Sequence, residues 1–198
     1  MSIVDRAKNI LLTPKTEWPI IAAEPATTGT LMTYAAILGL IPLAASLLGG
    51  LLFTSSLGLG FNFILISGLV GYAIGLGILF LMGIITAALA PSFDGQNVQI
   101  SGLKLIVYAA TPVYVAGILA IIPGLGAIAS IIGLAYGIYL IYLGAGPVVG
   151  IPVAKTGGFT AVVVVIWIVL QLVISAIIVG AVMSAVLGGA ALGGALAV

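Results

Sequence analysis

FILISGLVGYAIGLGILFLMGIITAAL, residues 63–89, runs through apolar and small residues without a single charge. A helix rises about 1.5 Å per residue, so about 20 residues cross the roughly 30 Å hydrocarbon core of a bilayer. This stretch is long enough with a turn or two to spare. The sequence around it repeats the pattern. Residues 25–93 are 69 in a row without a charge, residues 105–154 are 50 more, and the last 43 are uncharged too. The nine charges fall between or before these runs, as Asp5, Arg6, Lys8, Lys15, Glu17, Glu24, Asp94, Lys104 and Lys155.

Four further stretches meet the same length criterion: 31–53, 103–122, 125–143 and 159–182. The sequence therefore predicts an all-α, polytopic integral membrane protein, a bundle of five transmembrane helices. Between the spans lie breaks at 54–62, 90–102, Pro123-Gly124 and 144–158, and the Pro-Gly pair makes the third and fourth spans a tight hairpin. The expected organisation is an N-terminal interfacial segment (1–30), a five-helix domain (31–187) and a Gly/Ala-rich tail (188–198). Residues 180–198 would otherwise lengthen the fifth span or form a weak sixth.

Composition agrees: 63% of residues are hydrophobic and 5% charged, with a mean hydropathy of +1.46. A net charge of +1 supplies no field for a nucleic-acid backbone, so the expected environment is the lipid bilayer. With no cysteine and no histidine, the chain has no thiol chemistry, no disulfide and none of the usual zinc, haem or iron–sulfur ligands. No cofactor is expected.

The apolar run after Arg6 and Lys8 is interrupted by Pro14, Lys15, Glu17 and Glu24, unlike a signal peptide. Residues 2–12 read as a short amphipathic helix. Ile3, Val4, Ala7, Ile10 and Leu11 share an arc of about 120°, with Lys8 and Asn9 opposite and Ser2 and Asp5 placed as a capping box. Such a helix lies either on the membrane surface or against the protein's own cytoplasmic loops. Basic residues in short loops stay cytoplasmic. With the N-terminus inside, Arg6, Lys8, Lys15, Lys104 and Lys155 all fall on that side, and the outer loops carry none. The expected location is the cell membrane, with the C-terminus outside.

Glycine, 28 residues, recurs within the spans. Ser67-Gly71-Gly75, Ala129-Gly133-Gly137 and Gly180-Ser184-Gly188 form small-residue ridges, read first as monomer packing and second as a homo-oligomer interface. Pro42 and Pro112 would free the carbonyls of Leu38 and Tyr108 and kink their helices.

No catalytic constellation is present, so the chain is read as no enzyme. Glu17, Glu24 and Asp94 are the only metal candidates, and a solvated interfacial segment explains the first two better, with Trp18 as an interface anchor. Tyr136, Tyr139 and Tyr142 rotate around the fourth span, the last belonging to an aromatic belt. No ionisable residue lies deep in a span, where proton and ion relays place theirs. The polar groups there, Thr86, Thr111, Ser130, Gln171 and Ser175, suit packing hydrogen bonds.

The run from Pro14 to Glu24, PKTEWPIIAAE, resembles the prokaryotic branch of the Ypt-interacting protein family, the Yip domain. LKLIVYAATP (103–112), with Tyr108 four residues before Pro112, is similar to that family's third span. IYLIYLGAGPVVGIPVAKTGGFTAVVVV (138–165), with Lys155 between a proline and an aromatic-Thr pair, is similar to its fourth-to-fifth-span run. The resemblance implies five spans, a cytoplasmic N-terminus and an outer C-terminus. Eukaryotic members bind Rab-type GTPases and act in vesicle traffic and membrane shaping. This chain lacks their long cytosolic N-terminal region and Asp-Leu-Tyr-Gly-Pro motif, which argues against a Rab partner. The expected function is membrane organisation or recruitment of a cytoplasmic protein partner, with a small-solute, ion or lipid transporter as the alternative.

Overall fold

The computed structural model describes residues 1–53, 61–122 and 124–195, and side chains as far as Gly180 except Val179. It contains eight α-helices among the described residues. Five helical segments are long and apolar enough to cross a membrane: Thr28–Phe53, Phe61–Phe93, Gln99–Ile121, Leu125–Val149 and Val153–Ile178. The expected outer loop 54–60, Pro123 and residues 196–198 lie outside the described residues.

The first helix, α1 (Ile3–Leu12), starts where Ser2 caps it: Asp5 N donates to Ser2 Oγ at 3.1 Å, and the Ser2 hydroxyl donates to Asp5 Oδ2 at 2.6 Å. Its buried face is Arg6, Ala7 and Ile10, while Val4 is 75% exposed. The buried arc is thus rotated from the expected one, because Arg6 finds partners inside. Next comes α2 (Pro14–Ala23), where two prolines had argued against a regular helix. Pro14 sits at the first position, where its missing N–H costs nothing. Pro19 is interior, at a typical cost of about 3 kcal/mol, and the burial of Glu17, Trp18 and Ile21 offsets it.

Reciprocal bonds between Thr27 and Thr30 open α3 (Thr28–Phe53): Thr30 N donates to Thr27 Oγ1 at 3.2 Å, and Thr27 N to Thr30 Oγ1 at 3.0 Å. The second span, α4 (Phe61–Leu89), runs into a 3-10 turn, Ala90–Phe93, closed by Asp94 at φ 62°. The third span is broken into α5 (Gln99–Ala109), α6 (Thr111–Ala116) and a 3-10 turn, Gly117–Ile121. Pro112 lies in the first turn of α6, so the predicted break is there. The carbonyl of Tyr108 accepts from Ala110 N.

Gly124, at φ +84°, starts α7 (Leu125–Val149), which ends at Gly150, φ +77°. The expected break at 144–158 therefore shrinks to 150–152, with Gly144 and Pro147 inside the helix. The last helix, α8 (Val153–Ala195), extends to Ala195 within the stretch read as a tail.

By contacts the chain forms two compact units, 1–161 and 162–198. Among the described residues the second consists of the remainder of α8, with large apolar side chains such as Val165, Leu172 and Ile177 exposed. Within the first unit α3, α4, α5–α6 and α7 pack as a bundle, with α2 laid against α7 and α5. Close approaches occur at glycines. A Cβ built at Gly102 would lie 2.7 Å from Ala87 N, and one at Gly83 would lie 2.9 Å from Leu103 Cα, so α4 and α5 cross backbone to backbone. The two small-residue ridges of this unit differ. At Gly133 a Cβ would meet the Pro112 carbonyl oxygen at 3.0 Å, and at Gly137 that of Ala109 at 2.9 Å, whereas Gly71 and Gly75 face open space. Gly180 does too, and the side chain of Ser184 lies outside the described ones.

Exposed apolar side chains run from Ile37 to Phe53 on α3, from Phe61 to Leu81 on α4, and from Val115 to Ile132 across α6 and α7. That belt stops short of α5, in which Gly102 to Val107 are buried by protein. The end of the bundle at α5 is where charge collects.

Candidate functional site: a charged cluster beneath the N-terminal hairpin

Thr13 joins α1 to α2 as a helical hairpin, and the pairing places Arg6 opposite two carboxylates eleven and eighteen residues later. Nη1 of Arg6 donates to Glu17 Oε1, and Nη2 donates to Glu24 Oε2. Arg6 and Glu17 are 4% and 2% exposed, while the Glu24 side chain is about half exposed. Burying a guanidinium is expensive unless its donors and charge are met. Here one planar fork spans both acids, which is the geometry arginine offers and lysine does not. The guanidinium also stands 5.6 Å from the centroid of the Tyr108 ring, a cation–π arrangement. Tyr108 packs edge-on against Tyr34, whose hydroxyl shares a 2.9 Å hydrogen bond with Thr111 Oγ1.

Lys104 completes the cluster from the first turns of α5. The residue is 6% exposed, and its ammonium donates to the carbonyls of Ile21 (2.9 Å), Ala22 (3.3 Å) and Glu24 (2.5 Å). Those carbonyls are the ones a helix C-terminus leaves without partners, and a cation there also meets the negative end of the helix dipole. The backbone end of α2 is thereby fixed to the third span. Trp18 holds the middle of α2. It is fully buried, and a Cβ on Gly144 would fall 2.7 Å from its ring carbon Cε2, so only glycine lets the indole seat against α7. Trp18 thus packs inside the protein rather than in a lipid interface, and its Nε1 meets no acceptor among the described residues.

A separate ion pair joins Lys155 and Asp94 at 2.5 Å, with side chains 44% and 62% exposed. Nearby, Gln96 N donates to Val149 O at 2.9 Å, tying the 94–98 loop to the end of α7. The three carboxylates named as metal candidates are consequently committed in two places: Glu17 and Glu24 to Arg6, Asp94 to Lys155. No group of three or more His, Cys, Asp or Glu side chains able to hold a metal ion occurs among the described residues.

The residues singled out from sequence thus separate. Glu17, Glu24, Trp18 and Tyr108 converge, joined by Arg6, Lys104, Tyr34 and Thr111, which sequence reasoning did not group with them. One signal existed for Arg6: at 100° per residue it borders the apolar arc of Ile3, Ala7 and Ile10. Pro112, Gly133 and Gly137 form a second assembly, the closed seam between α6 and α7. Gly71 and Gly75 belong to neither.

Along the hairpin's other flank the Tyr136 hydroxyl donates to Leu11 O at 2.7 Å, pinning the end of α1 to α7. An open groove of about 540 Å³ lies there, lined by the 12–16 turn with Tyr136 and Tyr139.

The family model described as the Yip1 domain matches residues 8–175, which takes in α2, all of the bundle and every residue of the cluster except Arg6. No curated protein and no solved structure matches.

Proposed function

The chain belongs to the Yip1 domain family, and on that premise we propose that it is a non-enzymatic integral membrane protein that organises membrane or recruits a protein partner through its N-terminal face. The observation carrying this reading is how the α1–α2 hairpin divides its side chains. Arg6, Glu17 and Trp18 are spent on docking, while Met1, Val4, Lys8, Leu12 and Lys15 stay exposed. Neither Lys8 nor Lys15 has an acidic partner among the described residues. A rigid scaffold presenting unpaired cations and apolar tips suits a surface for binding.

We place this face in the cytoplasm of a cell, the protein being in the cell membrane with its C-terminus outside. Arg6, Lys8 and Lys15 precede the first span, Lys104 and Lys155 lie in the opening turns of the third and fifth, and none of the five falls in the stretches assigned to the opposite side. Family membership favours a protein partner at such a face.

Against transport stands the packing of the third span at its break. The carbonyls of Ala109 and Pro112 face Gly137 and Gly133 of α7 at close approach, with no room between for a solute. The test is proximity labelling around the intact protein in cells, comparing wild type with Val4→Glu/Lys8→Glu, which leaves the buried cluster alone. A defined set of neighbours lost in the variant supports the reading. Saturable solute flux in proteoliposomes, sensitive to Pro112→Ala and indifferent to the face variant, would overturn it.

A further inference from the structure

The groove beside the hairpin brings a cation and a hydroxyl together on one concave surface. Lys15 sits in its wall with an exposed ammonium and no acid in reach among the described residues. Thr13 and Thr16 line it as well, but their hydroxyl protons are spent on the carbonyls of Asn9 (3.1 Å) and Thr13 (2.9 Å). Tyr136 is also committed, to Leu11 O. Tyr139 is not: it is 41% exposed, and its hydroxyl makes no hydrogen bond among the described residues. One cation and one free hydroxyl donor therefore converge on a concave surface.

What lies on the same face of α7 identifies the ligand class. Ile128, Ile132, Ala135 and Tyr139 recur at spacings of four, three and four, so they share one side of the helix, and all are exposed. This apolar stripe leads from the groove along the lipid-facing belt. A ligand that fills both parts must be anionic at one end and hydrocarbon at the other. We propose that the groove binds the headgroup phosphate of an anionic glycerophospholipid through Lys15 and the Tyr139 hydroxyl, with an acyl chain laid along Ile132 and Ile128. A zwitterionic lipid brings its own cation next to Lys15, where the protein has no carboxylate to receive it. Soluble phosphate would leave the stripe unused. The tyrosine and the lysine are placed as interfacial residues are, ring against hydrocarbon and charge towards the headgroups. The site holds whether or not the N-terminal face recruits a protein.

Native mass spectrometry of the delipidated full chain tests this, with dioleoyl phosphatidylglycerol, dioleoyl phosphatidylcholine and glycerol 3-phosphate as probes. Wild type should retain one phosphatidylglycerol in preference to the other two. Lys15→Gln should weaken that binding about fivefold, the usual worth of one basic residue near an anionic headgroup, and Tyr139→Leu should weaken it too. Lys15→Arg should retain binding, and Lys155→Gln, on the exposed pair with Asp94, should leave it unchanged. Equal retention of the two lipids, glycerol 3-phosphate bound as well as lipid, or indifference to Lys15→Gln at unchanged melting temperature would overturn the proposal. Because the readout is lipid count, its failure is separable from loss of protein neighbours.

Discussion

Replacing Glu17 by Ala should release the N-terminal hairpin while leaving the spans folded. The substitution strips one carboxylate from Arg6, a guanidinium only 4% exposed, and leaves it with Glu24 alone. Removing one partner of a buried pair costs about 3–5 kcal/mol. Glu24 keeps part of the charge compensated, so the lower end applies, about 3 kcal/mol or roughly 150-fold in the docking equilibrium. The loss falls on the hairpin because Arg6 binds α1 to α2 and leans on Tyr108 of α5. Hydrogen exchange by mass spectrometry in nanodiscs reads it directly. Peptides spanning α2, including the Glu24 amide bonded to Ile20 O, should exchange about 100-fold faster, and peptides from α7 should not change. Asp94→Ala serves as the control, since an exposed pair such as Lys155–Asp94 is worth about 0–1 kcal/mol. The double change Arg6→Met with Glu17→Leu should recover most of the protection, because apolar replacement of a buried pair is often neutral. Exchange in Glu17→Ala within twofold of wild type would refute the reasoning.

Gly133→Leu should lower thermal stability in detergent sharply, since its Cβ alone would press on the Pro112 carbonyl and Val113 Cα. Gly71→Leu, in open space, should be neutral or slightly stabilising, and equal melting shifts at the two sites would show the seam to be misplaced. Lys104→Met should cost about 1.5–3 kcal/mol by removing a charged donor from the α2 carbonyls. Its readout is a red shift of Trp18 emission in a Trp167→Phe background, and an unshifted spectrum would count against the Lys104 clamp.

Hydropathy made the spans legible because each is a long uncharged run, and 31–53, 63–89 and 125–143 lie within α3, α4 and α7. Local breaker residues misled at the ends. Gly144 and Pro147 read as a loop, yet the helix continues because Gly144 is needed as a helical surface for Trp18. Pro19 read as a helix breaker, yet α2 forms because its buried face and the Lys104 clamp outweigh one missing hydrogen bond. The cluster itself was hidden because its members recur at no fixed spacing. Glu17 and Glu24 looked like solvated acids, and only the hairpin fold sets Arg6 against them. Lys104 counted as a loop charge, and its partners are backbone carbonyls 80 to 83 residues away, which no side-chain pattern records.

The central claim is that the docked hairpin and the polar chemistry around it face the cytoplasm. Single cysteines introduced one at a time at Lys8 and Asn62 can be probed in intact cells with a membrane-impermeant maleimide, in a chain that has no native thiol. Both positions are exposed, on α1 and at the start of α4. Lys8→Cys should react only after permeabilisation and Asn62→Cys should react without it; labelling of Lys8→Cys from outside, with Asn62→Cys protected, would contradict the account.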